Sequence, residues 1–166
     1  MNYLEAFHPI KGFIFDVDGV FTNNNLLVLE SGQLLRTMNT RDGLAIKMAL
    51  EQGYFIGIIT GGSSEGVVRR FRGLGIECIH IGVKNKRAKF QEIIAEYELD
   101  PKELLYMGDD LVDYEVMRLA GLAVAPADAV PEVLGIAGYI CSRGGGQGCV
   151  REVIEKCLKI KGQWPY

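Results

Sequence analysis

Phe13-Ile14-Phe15-Asp16-Val17-Asp18-Gly19 is the stretch on which the reading of this chain turns. An unbroken apolar run ends there in two aspartates and a glycine. Strands buried on both faces of a parallel sheet are near-continuous apolar runs, whereas half-exposed strands alternate. Residues 12–17 are therefore expected to form a buried strand, with Asp16 and Asp18 at its carboxyl end. Two neighbouring carboxylates repel unless a cation lies between them or one keeps a proton, so a buried pair points to metal binding or acid–base work. A strand-end turn with solvated aspartates would also explain them, and this motif alone does not choose.

Outward from this strand the pattern repeats. Residues 54–60, 78–81, 104–107 and 123–125 are further short apolar runs ending near polar residues. Between them, residues 43–52, 64–74, 86–97 and 110–119 carry apolar side chains at three-and-four spacing, as amphipathic crossover helices do, and Gly53, Gly75 and Gly121 are expected to close three of them. A glycine-rich stretch, 144–148, leads into a last helix over 150–160. The alternation predicts an α/β fold, a Rossmann-like doubly wound parallel sheet. At 166 residues, with no linker, repeat or low-complexity stretch, the chain is expected to be one domain over 1–166.

Residues 24–38 break the alternation. Two strand-like runs, 26–29 and 34–37, flank Glu30-Ser31-Gly32-Gln33, which predicts a β-hairpin inserted after the first strand. Its Leu26, Leu27, Val28, Leu29, Leu34 and Leu35 are too apolar for a solvated flap, so a partner surface is expected to cover it.

The composition is that of a soluble globular protein, 48% apolar and 23% charged. A net charge of −3 provides no overall positive field for nucleic acid or an anionic membrane. No apolar run reaches the ~18 to 20 residues of a membrane span, and the first nine residues lack the basic start and apolar core of a secretion signal. The cytoplasm is expected, with reduced thiols. Cys78, Cys141, Cys149 and Cys157 have no paired metal-ligand spacing, and His8 and His80 stand alone, so zinc is not expected.

Ligands of open parallel sheets bind beyond the carboxyl ends of the strands, and three more such ends carry chemistry. Gly108-Asp109-Asp110-Leu111-Val112-Asp113 places three carboxylates where a helix begins. Asp110 as helix N-cap and Asp113 in the first turn have a structural account, while Asp109 together with Asp16 suits magnesium, which takes a few carboxylates and keeps water. Thr60-Gly61-Gly62-Ser63 offers a hydroxyl and side-chain-free backbone N–H groups at a helix start, a general anion site that is also an ordinary tight turn. Lys84-Asn85-Lys86 can deliver a cation to a carboxylate-rich cleft or remain solvated.

Taken along the chain, Asp16-Val17-Asp18-Gly19, Thr60, Lys86 and Gly108 to Asp113 resemble, in order, the motifs of the haloacid dehalogenase-like phosphohydrolases, over nearly the whole chain. The resemblance implies that Asp16 is the nucleophile that forms a phospho-aspartate. Asp18 would be the acid–base group, its presence favouring phosphate esters over carbon–halogen bonds. Thr60 and Lys86 would bind phosphoryl oxygens, and Mg²⁺ would be held by Asp16, the Asp18 backbone carbonyl and Asp109, with Asp110 and Asp113 in support. Neither insertion point has room for a cap domain. Among capless members the chain is most similar to the 3-deoxy-D-manno-octulosonate 8-phosphate (KDO 8-phosphate) phosphatases of lipopolysaccharide precursor synthesis, which are homotetramers with sites shared between subunits. Residues 39–47 (NTRDGLAIK) resemble that family's substrate segment, and residues 144–152 (GGGQGCVRE) its tail motif. By that resemblance Asn39, Thr40, Arg41, Asp42, Gly43, Lys47, Gly61 and Arg70, beside Asp18 and Lys86, would contact the sugar acid. Lys47 replaces a commoner arginine, and Gly62 stands where many relatives carry arginine. The alternatives are a sister phosphatase acting on a nine-carbon acid, such as KDN or N-acetylneuraminate 9-phosphate, and a non-catalytic regulatory subunit of the same fold, against which the intact motifs argue.

Overall fold

The computed structural model describes residues 3–166. Six strands form one parallel sheet: β1 (Gly12–Phe15), β4 (Phe55–Ile59), β5 (Cys78–His80), β6 (Leu104–Met107), β7 (Leu122–Ala125) and β8 (Tyr139–Ile140), in the order β5-β4-β1-β6-β7-β8. With β4 on one side and β6 on the other, β1 is central, and all four of its residues are buried. The order reverses direction at β1, which makes the gap beyond its carboxyl end the topological switch point where such sheets bind ligands.

Side chains alternate across the sheet and build two cores. Phe13, Phe15, Leu105 and Met107 pack with α1 (Tyr3–Phe7), α2 (Thr40–Glu51), α3 (Glu65–Gly73) and α7 (Cys149–Ile160). Ile14, Leu104 and Tyr106 face α4 (Lys86–Glu96), α5 (Leu111–Met117) and α6 (Pro131–Ile136). The expected doubly wound architecture is thus present. Its strands are one or two residues shorter at their ends than the apolar runs, except for β6, which coincides with its run, and β7, which starts one residue earlier.

The sequence pattern did not single out α1, α6 or β8, because five-, six- and two-residue elements are too short to show a period. Gly53 and Gly75 end their helices at positive φ, 81° and 98°. Gly121 serves differently: a Cβ there would run into the Lys102 backbone, so it permits a close approach of two chain segments. All four cysteines are buried and none is paired. Among the described residues no helix is long and apolar enough to cross a membrane.

The hairpin forms as expected but with shorter strands, β2 (Leu27–Val28) antiparallel to β3 (Leu34–Leu35), separate from the main sheet. Val28 is 65% exposed and Leu27 61%. The protomer itself leaves this apolar surface uncovered.

Candidate active site

Asp16 is held at the carboxyl edge of the sheet because its N–H continues the β1–β6 pairing, donating to the Met107 carbonyl at 3.0 Å. Val17 then turns into the core, and the chain folds back, with Val20 and Phe21 both donating to the Val17 carbonyl. This turn brings Gly19 against β6. Its φ is +83°, and a Cβ there would overlap the Asp109 carboxylate, so only glycine lets the two strand-end loops meet.

Beyond β6, Asp110 caps α5, accepting from Leu111 N at 2.7 Å. Asp113 sits one turn in and has no exposed surface. Its Oδ1 accepts from Lys86 Nζ and from the Tyr106 hydroxyl, both at 2.8 Å, and its Oδ2 from Asp109 N at 3.2 Å and Asp110 N at 3.5 Å. Both oxygens are thereby occupied. Asp16, Asp109 and Asp113 each offer an oxygen within 4.8 Å of the others, a group able to hold a metal ion.

Lys86 reaches this cluster from the first turn of α4, whose N-cap Asn85 accepts from Ala88 N at 2.9 Å. Its ammonium lies 2.9 Å from Asp16 Oδ1 and is only 4% exposed. It is the ion-pair partner of the buried Asp16 Oδ1, and it also serves Asp113 at 2.8 Å. Three clustered carboxylates share this one ammonium, and the charge left over fits a further cation beside them.

The electrostatics agree. Burial, reinforced by Asp113 and opposed by Lys86, pushes Asp16 up to about 8. Burial also raises Asp109, to about 6, although the hydrogen bond from Asn24 works the other way. For Lys86, burial alone would favour loss of its proton, but Asp16 and Asp113 outweigh it and raise its pKa. Too much negative charge is gathered here for one lysine to neutralise.

Thr60, 3% exposed, directly follows β4, and its Oγ1 accepts from Gly62 N at 3.2 Å in a tight turn. Asp16, Asp18, Thr60, Gly61, Lys86, Asp109 and Asp110 line one cleft of about 200 Å³. A larger hollow, about 530 Å³, lies elsewhere along α7 and includes Arg41 but none of these carboxylates. Its lining mixes both signs, with Glu155 spent on Arg151 and Lys159, so volume does not mark the chemistry.

Of the residues expected at the sugar acid, Asp18, Gly61 and Lys86 line the cleft, whereas Arg70 and those of segment 39–47 do not. Asn39 caps α2, accepting from Arg41 N at 2.9 Å, and its amide donates to the Gly146 carbonyl at 3.4 Å. Thr40, Arg41 and Lys47 are exposed along α2. Arg70 lies over Gly43, where a Cβ would be 2.6 Å from its Nη2. Two of these residues also pack the fold. Asp42 is buried and accepts from Arg151 N at 2.8 Å, joining α2 to α7, and the buried Gly43 gives Arg70 room, so both have packing roles here.

Three residues that the sequence did not single out complete the site. Asn24, at φ +67°, donates to Asp109 Oδ2 at 2.7 Å. Tyr106 supports Asp113 from within β6. Arg36, just past β3, grips the Asp18 carboxylate with Nε on Oδ1 at 2.7 Å and Nη2 on Oδ2 at 3.1 Å. Asp18 thereby meets the hairpin while lining the cleft with Asp16 and Asp109.

Known proteins are similar to this chain in sequence and fold. The family model for haloacid dehalogenase-like hydrolases matches residues 79–151. The chain is 37% identical over 154 residues to the 3-deoxy-D-manno-octulosonate 8-phosphate phosphatase of Escherichia coli K12, covering 93% of this chain and 82% of the relative. It superposes on the crystal structure of the Yersinia pestis phosphatase of that name with a TM-score of 0.94 at 34% identity, covering 97% and 87% of the two chains. The Moraxella catarrhalis phosphatase, solved in complex with magnesium, phosphate and KDO, gives 0.94 at 30% identity, covering 99% and 95%. With its strand-end carboxylates, lysine and threonine in one cleft, the chain belongs to the 3-deoxy-D-manno-octulosonate 8-phosphate phosphatase family of haloacid dehalogenase-like hydrolases.

Proposed function

We propose that this phosphatase hydrolyses KDO 8-phosphate to KDO and phosphate, with Mg²⁺, through a phospho-aspartate on Asp16. The observation that carries the reading is the buried Asp16 carboxylate at a strand end, lining one cleft with Lys86, Thr60 and Asp109. A carboxylate fixed at the strand end by its backbone and lining the cleft is placed to attack phosphorus. Asp16 and Asp109 are the residues to hold the cation, with the Asp18 backbone carbonyl as a third ligand. Asp113 joins them in space, but its oxygens already accept four hydrogen bonds, so its part is to fix Lys86 and the turn before α5. When bound, Mg²⁺ supplies positive charge to the phosphoryl oxygens.

The chain's own residues then divide the work. Asp16 forms a bond to phosphorus as the ester oxygen leaves, and Asp18 gives that oxygen a proton. Lys86, Thr60 and the Gly61 backbone hold the phosphoryl oxygens throughout. Asp18, now ionised, takes a proton from water, whose oxygen attacks phosphorus and frees Asp16 and inorganic phosphate. Phosphate release should be measured for KDO 8-phosphate and KDN 9-phosphate in parallel. The eight-carbon substrate is expected to give the higher kcat/KM, and the reverse order would overturn the substrate assignment.

The uncovered hairpin, together with the sugar-acid residues lying outside the cleft, supports a homotetramer in which hairpins pack together and a neighbour completes each site. Light scattering on the same preparation checks this, and a monomer contradicts it. Four unpaired thiols suit the cytoplasm.

Metal binding and pH should be linked. Asp16 and Asp109 hold protons more tightly in the folded chain than in the unfolded one. The metal-free fold should therefore lose stability as pH rises from the ordinary carboxylate range through about 6 and on to about 8. A cation must displace those protons, so its affinity rises over the same interval. Mg²⁺ at about a hundred times its Kd adds about 2.7 kcal/mol, on the order of 5–10 °C in Tm for a chain of this length. Thermal melts with Mg²⁺ or EDTA should show a larger increment at pH 8 than at pH 5.5. An increment that is equal, or larger in acid, contradicts the assigned ligands.

A further inference from the structure

Arg36 reverses the usual order of burial on the hairpin. Its side chain is 9% exposed, while Leu34 and Leu35 beside it are each 45% exposed. A guanidinium is drawn under an apolar surface only where a partner satisfies it. Here the partner is Asp18, met by two parallel N–H···O bonds, and Nη1 lies 3.4 Å from the Leu34 carbonyl. The fork geometry fixes both position and plane of the carboxylate, which a point charge does not.

The room for this contact lies at Gly62. A Cβ there would come within 3.2 Å of Arg36 Nη2 and 3.6 Å of both Asp18 Oδ2 and Thr60 Oγ1. Gly62 does not adopt positive φ, so the backbone accepts any residue, and what the missing side chain provides is space. Positions 36 and 62 therefore address the same point beside Asp18 from opposite sides, one from the hairpin and one from the start of the Thr60 turn.

We propose that Arg36 is a positioning residue for the acid–base carboxylate: through it the hairpin sets the aim of Asp18, and the vacancy at Gly62 admits it. The inference rests on the phosphatase reading of the site and adds that the hairpin takes part in the chemistry. Whatever seats the hairpin then also tunes Asp18. Proton transfer by a placed group is worth about 10²–10⁴ in rate, and misplacement by about 1 Å can cost about 10²-fold.

The test is a variant series assayed with Mg²⁺ on p-nitrophenyl phosphate and KDO 8-phosphate, with melting curves for each protein. Arg36→Ala is expected to lower kcat about 10- to 100-fold while KM changes less than about twofold. Arg36→Lys should recover part of the loss. The double variant Arg36→Ala with Gly62→Arg should recover kcat several-fold over Arg36→Ala alone, because a guanidinium reaches Asp18 again from the other side. A rise in KM with kcat unchanged would make Arg36 a substrate-binding group instead. Loss of kcat only in step with loss of Tm, without rescue from position 62, would reduce it to a structural tie. Either result overturns the proposal. If the wild type turned over neither compound, the phosphatase reading beneath it would fall first, whereas an active wild type with an inert series sinks this inference alone.

Discussion

Asp16→Asn should abolish turnover, by on the order of 10⁴-fold or more, while the protein stays folded. Asparagine is nearly isosteric and keeps a carbonyl oxygen toward Lys86 and the cleft. It lacks the ionised oxygen that attacks phosphorus. Stability should move the other way. In the metal-free protein Asp16 faces burial and the Asp113 carboxylate, which together raise its pKa to about 8, and a neutral amide relieves both. The variant without Mg²⁺ should therefore melt no lower than wild type at pH 8, and its Mg²⁺-dependent increment should shrink. Steady-state assays and melts read both effects. Turnover within about tenfold of wild type would remove Asp16 from the role of nucleophile.

Lys86→Met should be the other severe substitution, and here fold and function fail together. The thioether keeps the apolar stem but leaves Asp16 and Asp113 facing each other without the ammonium that stands 2.9 and 2.8 Å from them. Removing one partner of a buried pair costs about 3–5 kcal/mol. For a chain of this length that is on the order of 10 °C in Tm. Some of the loss should return as pH falls, since protonated carboxylates no longer need the lysine. Loss of a donor to the phosphoryl oxygens costs a further factor of about 10²–10³ in kcat. A variant that melts like wild type at pH 8 would contradict the buried triad of Lys86, Asp16 and Asp113.

The parts of the fold that could be read from the sequence are those coded locally. β1, β4 and β6 are buried on both faces, so each is a plain apolar run, and the chemistry sits in the two or three residues that follow. The hairpin was legible from its own apolar residues. Arg36 and Asn24 were not, because their meaning lies in contacts with Asp18 and Asp109, 18 and 85 residues away, and nothing nearby in sequence announces them. Asp113 was legible as a residue in the first turn of a helix, but not as the hub that fixes Lys86 and Tyr106. The segment 39–47 was legible by resemblance alone. None of its residues lines the cleft of a single chain, and Asp42 and Gly43 also serve the packing of α2 against α7 and α3.

The hairpin links these points. It leaves leucines exposed on its outer side and sends one arginine inward to the catalytic cleft. An uncovered apolar surface and a contact to Asp18 therefore meet in the same short insertion.

The central claim is that the phosphoryl group passes through Asp16. Rapid acid quench of the enzyme turning over ³²P-labelled KDO 8-phosphate, followed by proteolysis and peptide mapping, tests it most directly. The account predicts acid-stable, hydroxylamine-labile label on the peptide carrying Asp16, absent from Asp16→Asn and chased by unlabelled substrate. Full turnover with no protein-bound label at any quench time, or label on another residue, would contradict it.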